Sequence, residues 1–214
     1  MIKSITIVDY GIGNLFSVRR ALEVSSDKAL KVSSAARDIS SSDFLILPGV
    51  GAFGIAMQAL AEQDLIHPIK EHVKKGKPIL GICLGMQIFA SRSEEFGTHD
   101  GLDIIPGVVL KIPGKSLDEK PLKIPYIGWA KQQISSAKKN DGFLTDLSEQ
   151  SLYTIHSFEL KVQQSDHLIG HYDYGGNKIT SIVGRDNILG VQFHPEKSGK
   201  VGLLFLKKLI ESTE

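Results

Sequence analysis

An α/β fold, with a mainly parallel central sheet flanked by helices and additional antiparallel strands in the second half, is what this sequence predicts. Three observations predict it. Short β-branched runs alternate with longer amphipathic runs over the first hundred residues, strands then follow one another without helices from about residue 105, and a last amphipathic run closes the chain.

The elements follow in order. "SITIVD" reads as a buried strand, and "NLFSVRRALEV" as a helix with Leu15, Val18 and Leu22 on one face and Arg19, Arg20 and Glu23 mostly on the other. "ALKVSS" and "DFLILP" are the next strands. "GIAMQALAEQ" and "LIHPIKEHVKK" are helices, Pro68 being tolerable near a first turn. "KPILGI" is a strand, and "LGMQIFASRSEEF" is expected to run on as a helix that Gly97 ends. The later strands are "GVVLKI", "PLKIP", "WAKQQI", "LYTIHSFELKV", "HLIGHYDY", "ITSIVG" and "ILGVQF", before a closing helix at "VGLLFLKKLIES". Residues 33–43, 111–121 and 135–142 are polar or rich in Pro, Gly and Ser, and are expected as surface loops.

The 214 residues suffice for one sizeable core, and no linker-like stretch divides them, so a single domain over 1–214 is expected. A net charge of +1 and a mean hydropathy near zero argue against a nucleic-acid or anionic-membrane partner. "MIKSITIVDY" is too short an apolar run, broken by Asp9, to read as a signal peptide or membrane span. The single cysteine cannot form an internal disulfide, which suits a reducing, cytoplasmic setting.

That cysteine, Cys83, stands between Gly81 and Gly85 where a strand meets a helix. G-x-C-x-G at such a junction has the mechanics of a nucleophile elbow, a sharp turn that lifts the nucleophile above the sheet. A free thiol ionises near pH 8.5, so half-populating the thiolate at neutral pH requires roughly 2 kcal/mol from a helix N-terminus and a base. A lone cysteine is most often a buried small hydrophobe, so the reading needs a partner. "ILGVQFHPEKS" supplies one: a strand runs into His194, Pro195 fixes the exit, and Glu196 follows within reach of the imidazole. A histidine at a strand end can project where the elbow projects, and a carboxylate on its other nitrogen favours the imidazolium. An isolated His-Pro-Glu would read as a charged surface turn. The elbow tips it toward catalysis. A third piece, "LILPGVGAFG", ends a strand at Pro48 and turns through Gly49, Val50 and Gly51, exposing backbone N–H groups at the strand ends. One donor from this turn and one from Leu84 would serve an oxyanion. Neither GK[ST] nor GxGxxG is present to suggest a phosphate cradle, and no histidine or cysteine cluster has metal-ligand spacing.

"PGVGAF", "GICLGMQ" and "GVQFHPEKS" together resemble the class I glutamine amidotransferases, and "DYGIGNLFSVRRAL", "IPYIGW" and "IHSF" narrow the resemblance to the glutaminase subunits of imidazole glycerol phosphate synthase. It covers nearly the whole chain. The fold implied is flavodoxin-like. The reaction implied is attack of Cys83 on the side-chain amide of glutamine, release of ammonia and hydrolysis of the thioester to glutamate, with His194 as proton shuttle and Glu196 as its orienting partner. By the same resemblance Leu84, Val50 and Gly51 supply the oxyanion donors, and Gly51, Gln87, His156, Ser157 and Phe158 hold glutamine. His156 is expected to be positioned by its backbone rather than to transfer protons. Asn14, Trp129 and Lys197 would meet a cyclase partner subunit, to which ammonia passes in histidine biosynthesis. The resemblance implies no cofactor and no metal. Two departures, Ala130 where the family usually has Asn and Glu159 where it usually has an aromatic residue, lie in the half expected to face partner and substrate. "SEEFGTHDGL" and the stretch from His171 to Ser198 also resemble HisH-like glutaminases that supply amidotransferases acting on surface-polysaccharide sugars. A different alternative is a non-catalytic scaffolding subunit, and a cysteine peptidase would share the elbow. The intact Cys83, His194 and Glu196 speak against the scaffold.

Overall fold

The computed structural model of the chain describes residues 2–135 and 142–213. Its first half runs β1 (Ser4–Val8), α1 (Leu15–Ser25), β2 (Ala29–Ser33), α2 (Ala36–Ser41), β3 (Phe44–Gly49), α3 (Phe53–Glu62), α4 (Ile66–Lys74), β4 (Ile79–Cys83) and α5 (Leu84–Gln87). Its second half runs β5 (Arg92–Ser93), β6 (His99–Asp100), β7 (Gly107–Lys111), β8 (Tyr126–Lys131), β9 (Gln133–Ile134), α6 (Gly142–Thr145), β10 (Ser151–His156), β11 (Phe158–Val162), β12 (Leu168–Tyr174), β13 (Asn177–Arg185), β14 (Ile188–Val191) and α7 (Gly199–Ser212). Short 3-10 turns lie at Ser165–His167 and Pro195–Lys197.

An eight-stranded sheet in the order β2-β1-β3-β4-β14-β13-β12-β9 carries the molecule. Its first five strands are parallel, and β13, β12 and β9 extend it antiparallel. The alternation within β3 shows why the sheet is covered twice. Phe44 and Ile46 enter the cluster shared with α1 and α7, while Leu45 and Leu47 enter the one shared with α3 and α4. Each such side chain withdrawn from water contributes roughly 2 kcal/mol. Asn14 starts α1 by accepting a hydrogen bond from the Ser17 N–H at 3.3 Å, and Val18, Ala21 and Leu22 of that helix are buried.

The fold departs from expectation in five places. The helix expected from Leu84 to Phe96 ends after Gln87. Ile88, Phe89 and Ala90 are all fully buried, and their carbonyls accept from the backbone of Leu102, Asp103, Ile104 and Ile105, so a tertiary partner replaces the helical ladder. Residues 33–43 hold the short helix α2, pinned by a single buried side chain, Ile39, which is too sparse a pattern to show periodicity. "PLKIP" is not a strand: its prolines lack ladder donors, and only an isolated bridge joins Lys115 to Pro121. The run "WAKQQI" is broken at Gln132, whose side chain is fully buried and bonded to Ala130 and Ser181. "LYTIHSFELKV" breaks at Ser157, where the chain crosses from the two-stranded β10–β8 sheet to the four-stranded sheet in the order β11-β7-β5-β6: His156 pairs with Tyr126, Phe158 with Lys111. The expected loop 135–142 falls outside the described residues apart from Ser135 and Gly142. Among the described residues no helix is long and apolar enough to cross a membrane.

Candidate active site

The site grows out of three neighbouring parallel strand ends. β4 lies between β3 and β14, with Cys83 beside Gly49 and Ile82 beside Val191, so the C-terminal ends of all three strands lie side by side. Cys83 takes φ 56° and ψ −111°, a conformation that costs a non-glycine residue about 1–3 kcal/mol and persists only where the surroundings impose it. The flanking glycines leave room for it. A Cβ on Gly85 would lie 1.8 Å from the Leu47 carbonyl oxygen, and one on Gly81 would lie 2.6 Å from the Gly85 carbonyl oxygen. Strand β3, the elbow and α5 can therefore approach closely only with glycine at both positions.

β14 ends at Val191, and the chain bends at Gln192 and Phe193 to reach His194 (φ −99°, ψ 96°) before the turn at Pro195. The His194 N–H donates to the Tyr153 carbonyl at 2.8 Å, and the Ser198 hydroxyl donates to the His194 carbonyl at 2.7 Å while accepting from the Tyr153 N–H at 2.9 Å. These bonds lock the backbone on β10. The side chains of His194 and Glu196 are 3% and 1% exposed, and Nδ1 donates to the Glu196 Oε1 at 2.8 Å. A carboxylate can only accept, so Nδ1 keeps its proton and Nε2 is the nitrogen at which the ring gains and loses one. That Nε2 is buried with no hydrogen-bond partner among the described residues. Burial by itself would lower the His194 pKa, but Cys83 and Glu196 beside it outweigh burial and raise it to about 9. Cys83, 7% exposed, has its Sγ 3.5 Å from Gln192 Nε2 and 3.8 Å from the Ile155 carbonyl oxygen.

The residues expected around glutamine fall into two groups. Gln87, Phe158 and His156 are joined: the Phe158 carbonyl accepts from Gln87 Nε2 at 2.8 Å and from His156 Nδ1 at 2.7 Å, and His156 Nε2 accepts from the Tyr172 hydroxyl at 2.8 Å. Burial, with His194 adding, outweighs the Phe158 hydrogen bond and lowers the His156 pKa to about 4. The ring is therefore neutral at neutral pH and engaged at both nitrogens. Val50 is exposed, and Gly51 has a φ of 93°, in the turn that leads into α3. Leu84 opens α5, and Ser157 marks the crossing between sheets. Asn14 and Lys197 are exposed and Trp129 is 56% exposed. Trp129 packs edge-on against Tyr153, and the Lys197 Nζ stands 5.8 Å from the Tyr153 ring centre. The two departures do not face outward: Ala130 is 1% and Glu159 0% exposed, because strand alternation turns Ile127 and Trp129 out and Ala130 in, and because Glu159 accepts from the buried Thr180 N–H at 2.8 Å.

Sequence reasoning missed Glu95 and Gln192. Glu95 is 8% exposed and accepts from the Phe53 N–H at 2.7 Å, pinning the glycine-rich turn where it enters α3. Its place in an expected helix concealed it. Gln192, fully buried, did carry a signal, as a polar residue inside the apolar run "ILGVQF". Among the described residues no group of three or more His, Cys, Asp or Glu side chains could hold a metal ion.

A thiol at an elbow beside a carboxylate-held imidazole defines an α/β protein built for acyl transfer through a thioester. Residues 6–209 match the family described as glutamine amidotransferase class-I. The chain is 42% identical over 212 residues to the imidazole glycerol phosphate synthase subunit HisH 1 of Legionella pneumophila strain Paris, covering 97% of this chain and 99% of that one. It is 44% identical over 201 residues to the subunit HisH of Halalkalibacterium halodurans, covering 94% and 92%. Among solved structures, PurLQS from Thermotoga maritima shares the fold with a TM-score of 0.71 at 19% identity over the whole of both chains. The glutaminase domain of Trypanosoma brucei CTPS does so with a TM-score of 0.65 at 15% identity, over 98% of this chain and 93% of that one. The chain belongs to the class-I glutamine amidotransferase family, in the HisH branch of these two relatives.

Proposed function

We propose that the chain is the glutaminase subunit of an imidazole glycerol phosphate synthase, hydrolysing glutamine and passing the ammonia to a cyclase subunit in histidine biosynthesis. The observation that carries the chemistry is the buried His194, whose ring Nδ1 is held on Glu196 and whose charge is favoured by Cys83 beside it. Cys83 as thiolate attacks the amide carbon of glutamine, and the carbonyl π-electrons move onto oxygen, where N–H donors from Leu84 and the Val50–Gly51 turn receive them. The C–N bond breaks as His194 gives its proton to the departing nitrogen, leaving a thioester and ammonia. Water then loses a proton to His194 as it adds to the thioester, and collapse releases glutamate and restores the thiolate and the imidazolium. Gln87, with its Nε2 committed to protein acceptors, offers its Oε1 to the substrate. Ser157 and Phe158 line the crossing over the thiol, and neutral His156 holds that crossing. The relatives' names and near full-length similarity support the histidine-pathway partner, and Asn14, Trp129 and Lys197 are its proposed contacts. Ammonia is mostly ammonium at neutral pH and then a poor nucleophile, so direct delivery to the partner follows from the chemistry. The membrane-free, reducing setting of a biosynthetic enzyme suits the single thiol.

The test is glutamine-dependent ammonia release by the purified chain, alone and with the cyclase subunit of the same organism and its ligand. Strong stimulation by the cyclase is expected. Turnover that the cyclase leaves unchanged would redirect the ammonia to another acceptor, and no turnover in either condition from folded protein would overturn the catalytic reading.

A further inference from the structure

One buried side chain at the site has no part in the steps above. Gln192 follows β14, is 0% exposed, and stands in the chain between the buried Val191 and Phe193. Its backbone N–H donates to Ser181 at 2.7 Å, which is ordinary strand pairing. Its side chain is spent otherwise: Oε1 lies 2.9 Å from Gln87 Nε2, and Nε2 lies 3.5 Å from Cys83 Sγ.

The direction of these bonds follows from chemistry. The Phe158 carbonyl oxygen can only accept, so the Gln87 group 2.8 Å from it is the NH2 end. That same NH2 faces Gln192, whose near atom must then be its oxygen, and this turns the Gln192 NH2 toward the sulfur. Flipping either amide would set two donors or two acceptors against each other. The chain of bonds thus starts at a backbone carbonyl, passes through two amides and ends as a donor on Cys83. A protonated thiol has its own acceptor available in the Ile155 carbonyl at 3.8 Å, whereas a donor on sulfur favours the thiolate. The other groups facing Cys83 are His194 with Glu196 from the turn after β14, and Tyr10 from the end of β1. The Tyr10 hydroxyl donates to the Pro48 carbonyl at 2.7 Å, and burial, with Cys83 adding, raises its pKa, so it stays neutral.

We propose that Gln192 is a further catalytic residue, whose side-chain amide donates to the Cys83 thiolate before attack and again when the thioester collapses, with Gln87 holding it in that orientation. This rests on the glutaminase reading only for its role in turnover. The donor itself is a property of the resting site. On this assignment the amide needs no rearrangement when sulfur becomes the leaving group, since the same N–H is already aimed at it.

Cys83 is the chain's only cysteine, so alkylation of the intact protein by iodoacetamide, followed by mass, reports this thiol without reference to glutamine. Gln192→Met keeps the approximate volume and removes the donor. Its alkylation near pH 7 is expected to be about tenfold slower than that of the parent, with the two rates converging near pH 10. Gln192→Glu, which sets an acceptor against sulfur, should be slower still near pH 7. Folding is checked by circular dichroism. If Gln192→Met does not fold, Gln87→Met releases the orientation of an intact Gln192, and about a threefold slowing near pH 7 with convergence near pH 10 is expected. Folded variants that react at the parent rate at both pH values overturn the proposal. Slowing by the same factor at both pH values also overturns it, since that reports access rather than ionisation. A parent chain that alkylates as expected but releases no ammonia from glutamine would defeat the functional reading while leaving the donor in place.

Discussion

The two halves of this sheet hold their parts of the site by different physics. In the parallel half, β1, β3, β4 and β14 are apolar on both faces, and the site residues sit where these strands end, placed by close backbone approach at Gly81 and Gly85. In the second half, the segment that crosses the thiol from His156 to Phe158 is held by polar bonds: Tyr172 to His156, and His156 and Gln87 to the Phe158 carbonyl. Packing fixes Cys83 and His194, the proposed nucleophile and base, to a single geometry. A hydrogen-bonded crossing can be shifted by whatever competes for its bonds, which suits the proposed role of this segment in admitting glutamine.

The largest effects should come from the parallel half. Cys83→Ser is expected to abolish ammonia release, by about 10⁴-fold or more, while melting within a few degrees of the parent, because the change is nearly isosteric and the nucleophile is lost. Full activity in that variant would remove the thioester from the mechanism. Gly85→Ala should not yield a stable fold, or should lose more than about 4 kcal/mol in denaturant titration, because its Cβ meets a backbone carbonyl at 1.8 Å that no rotamer can avoid. The counterpart in the second half is Gly114→Ala, whose Cβ meets nothing closer than 3.8 Å, and it should change stability by less than about 1 kcal/mol. Equal losses at the two glycines would break the distinction drawn between the halves. Glu196→Gln keeps the bulk and removes the charge that holds the imidazole, and should lower kcat about 10²-fold, less than loss of the thiol. A loss equal to that of Cys83→Ser would count against an orienting role.

This contrast also explains what the sequence could show. The strands of the parallel half, Cys83 between its glycines, and His194 with Glu196 were legible because each rests on local signals: apolar runs, turn glycines, and short spacing along the chain. Helix α5 was misjudged because its ending depends on Ile88 to Ala90 bonding to residues 102–105, a pairing without local signature. The break at Ser157 and the burial of Ala130 and Glu159 were hidden for the same reason, since which sheet a strand joins is decided by its partners. Gln192 stood in plain view as a polar residue in an apolar run, but its proposed purpose appears only when Gln87, 105 positions away, is brought against it.

The polar half makes a pH-dependent prediction. An unfolded chain protonates a histidine near pH 6.5, whereas His156 in the fold resists the proton until about 4. Between these values the unfolded state binds more protons, so this residue's contribution is present above pH 6.5 and lost as pH falls toward 4, by on the order of 3 kcal/mol. His194 has the opposite sign, its contribution being present below pH 6.5 and lost as pH rises through about 9. Thermal melts across this range should show both limbs. His156→Gln should cost about 1–3 kcal/mol at pH 7 through its lost hydrogen bonds, and should flatten the acid limb while leaving the alkaline one. An acid limb of undiminished slope would mean that other groups carry it.

The smallest effect on the isolated chain should come from the outer face of the second half. Ile127 and Trp129 point outward from β8 at 59% and 56% exposure, and Trp129 leans edge-on against Tyr153, whose ring lies 6.3 Å from that of His194. A partner pressing on Trp129 would thus be one aromatic ring away from the base. Trp129→Ala is expected to leave the melting temperature and the basal ammonia release nearly unchanged, since it removes an exposed side chain. It should weaken cyclase stimulation about tenfold or more, as loss of an exposed aromatic anchor does at protein interfaces. Asn14→Ala, at another proposed contact, differs in that it also removes the cap of α1 and should cost about 1 kcal/mol of stability even with no partner present. If Trp129→Ala is stimulated as strongly as the parent, Trp129 is not an anchor of the cyclase contact.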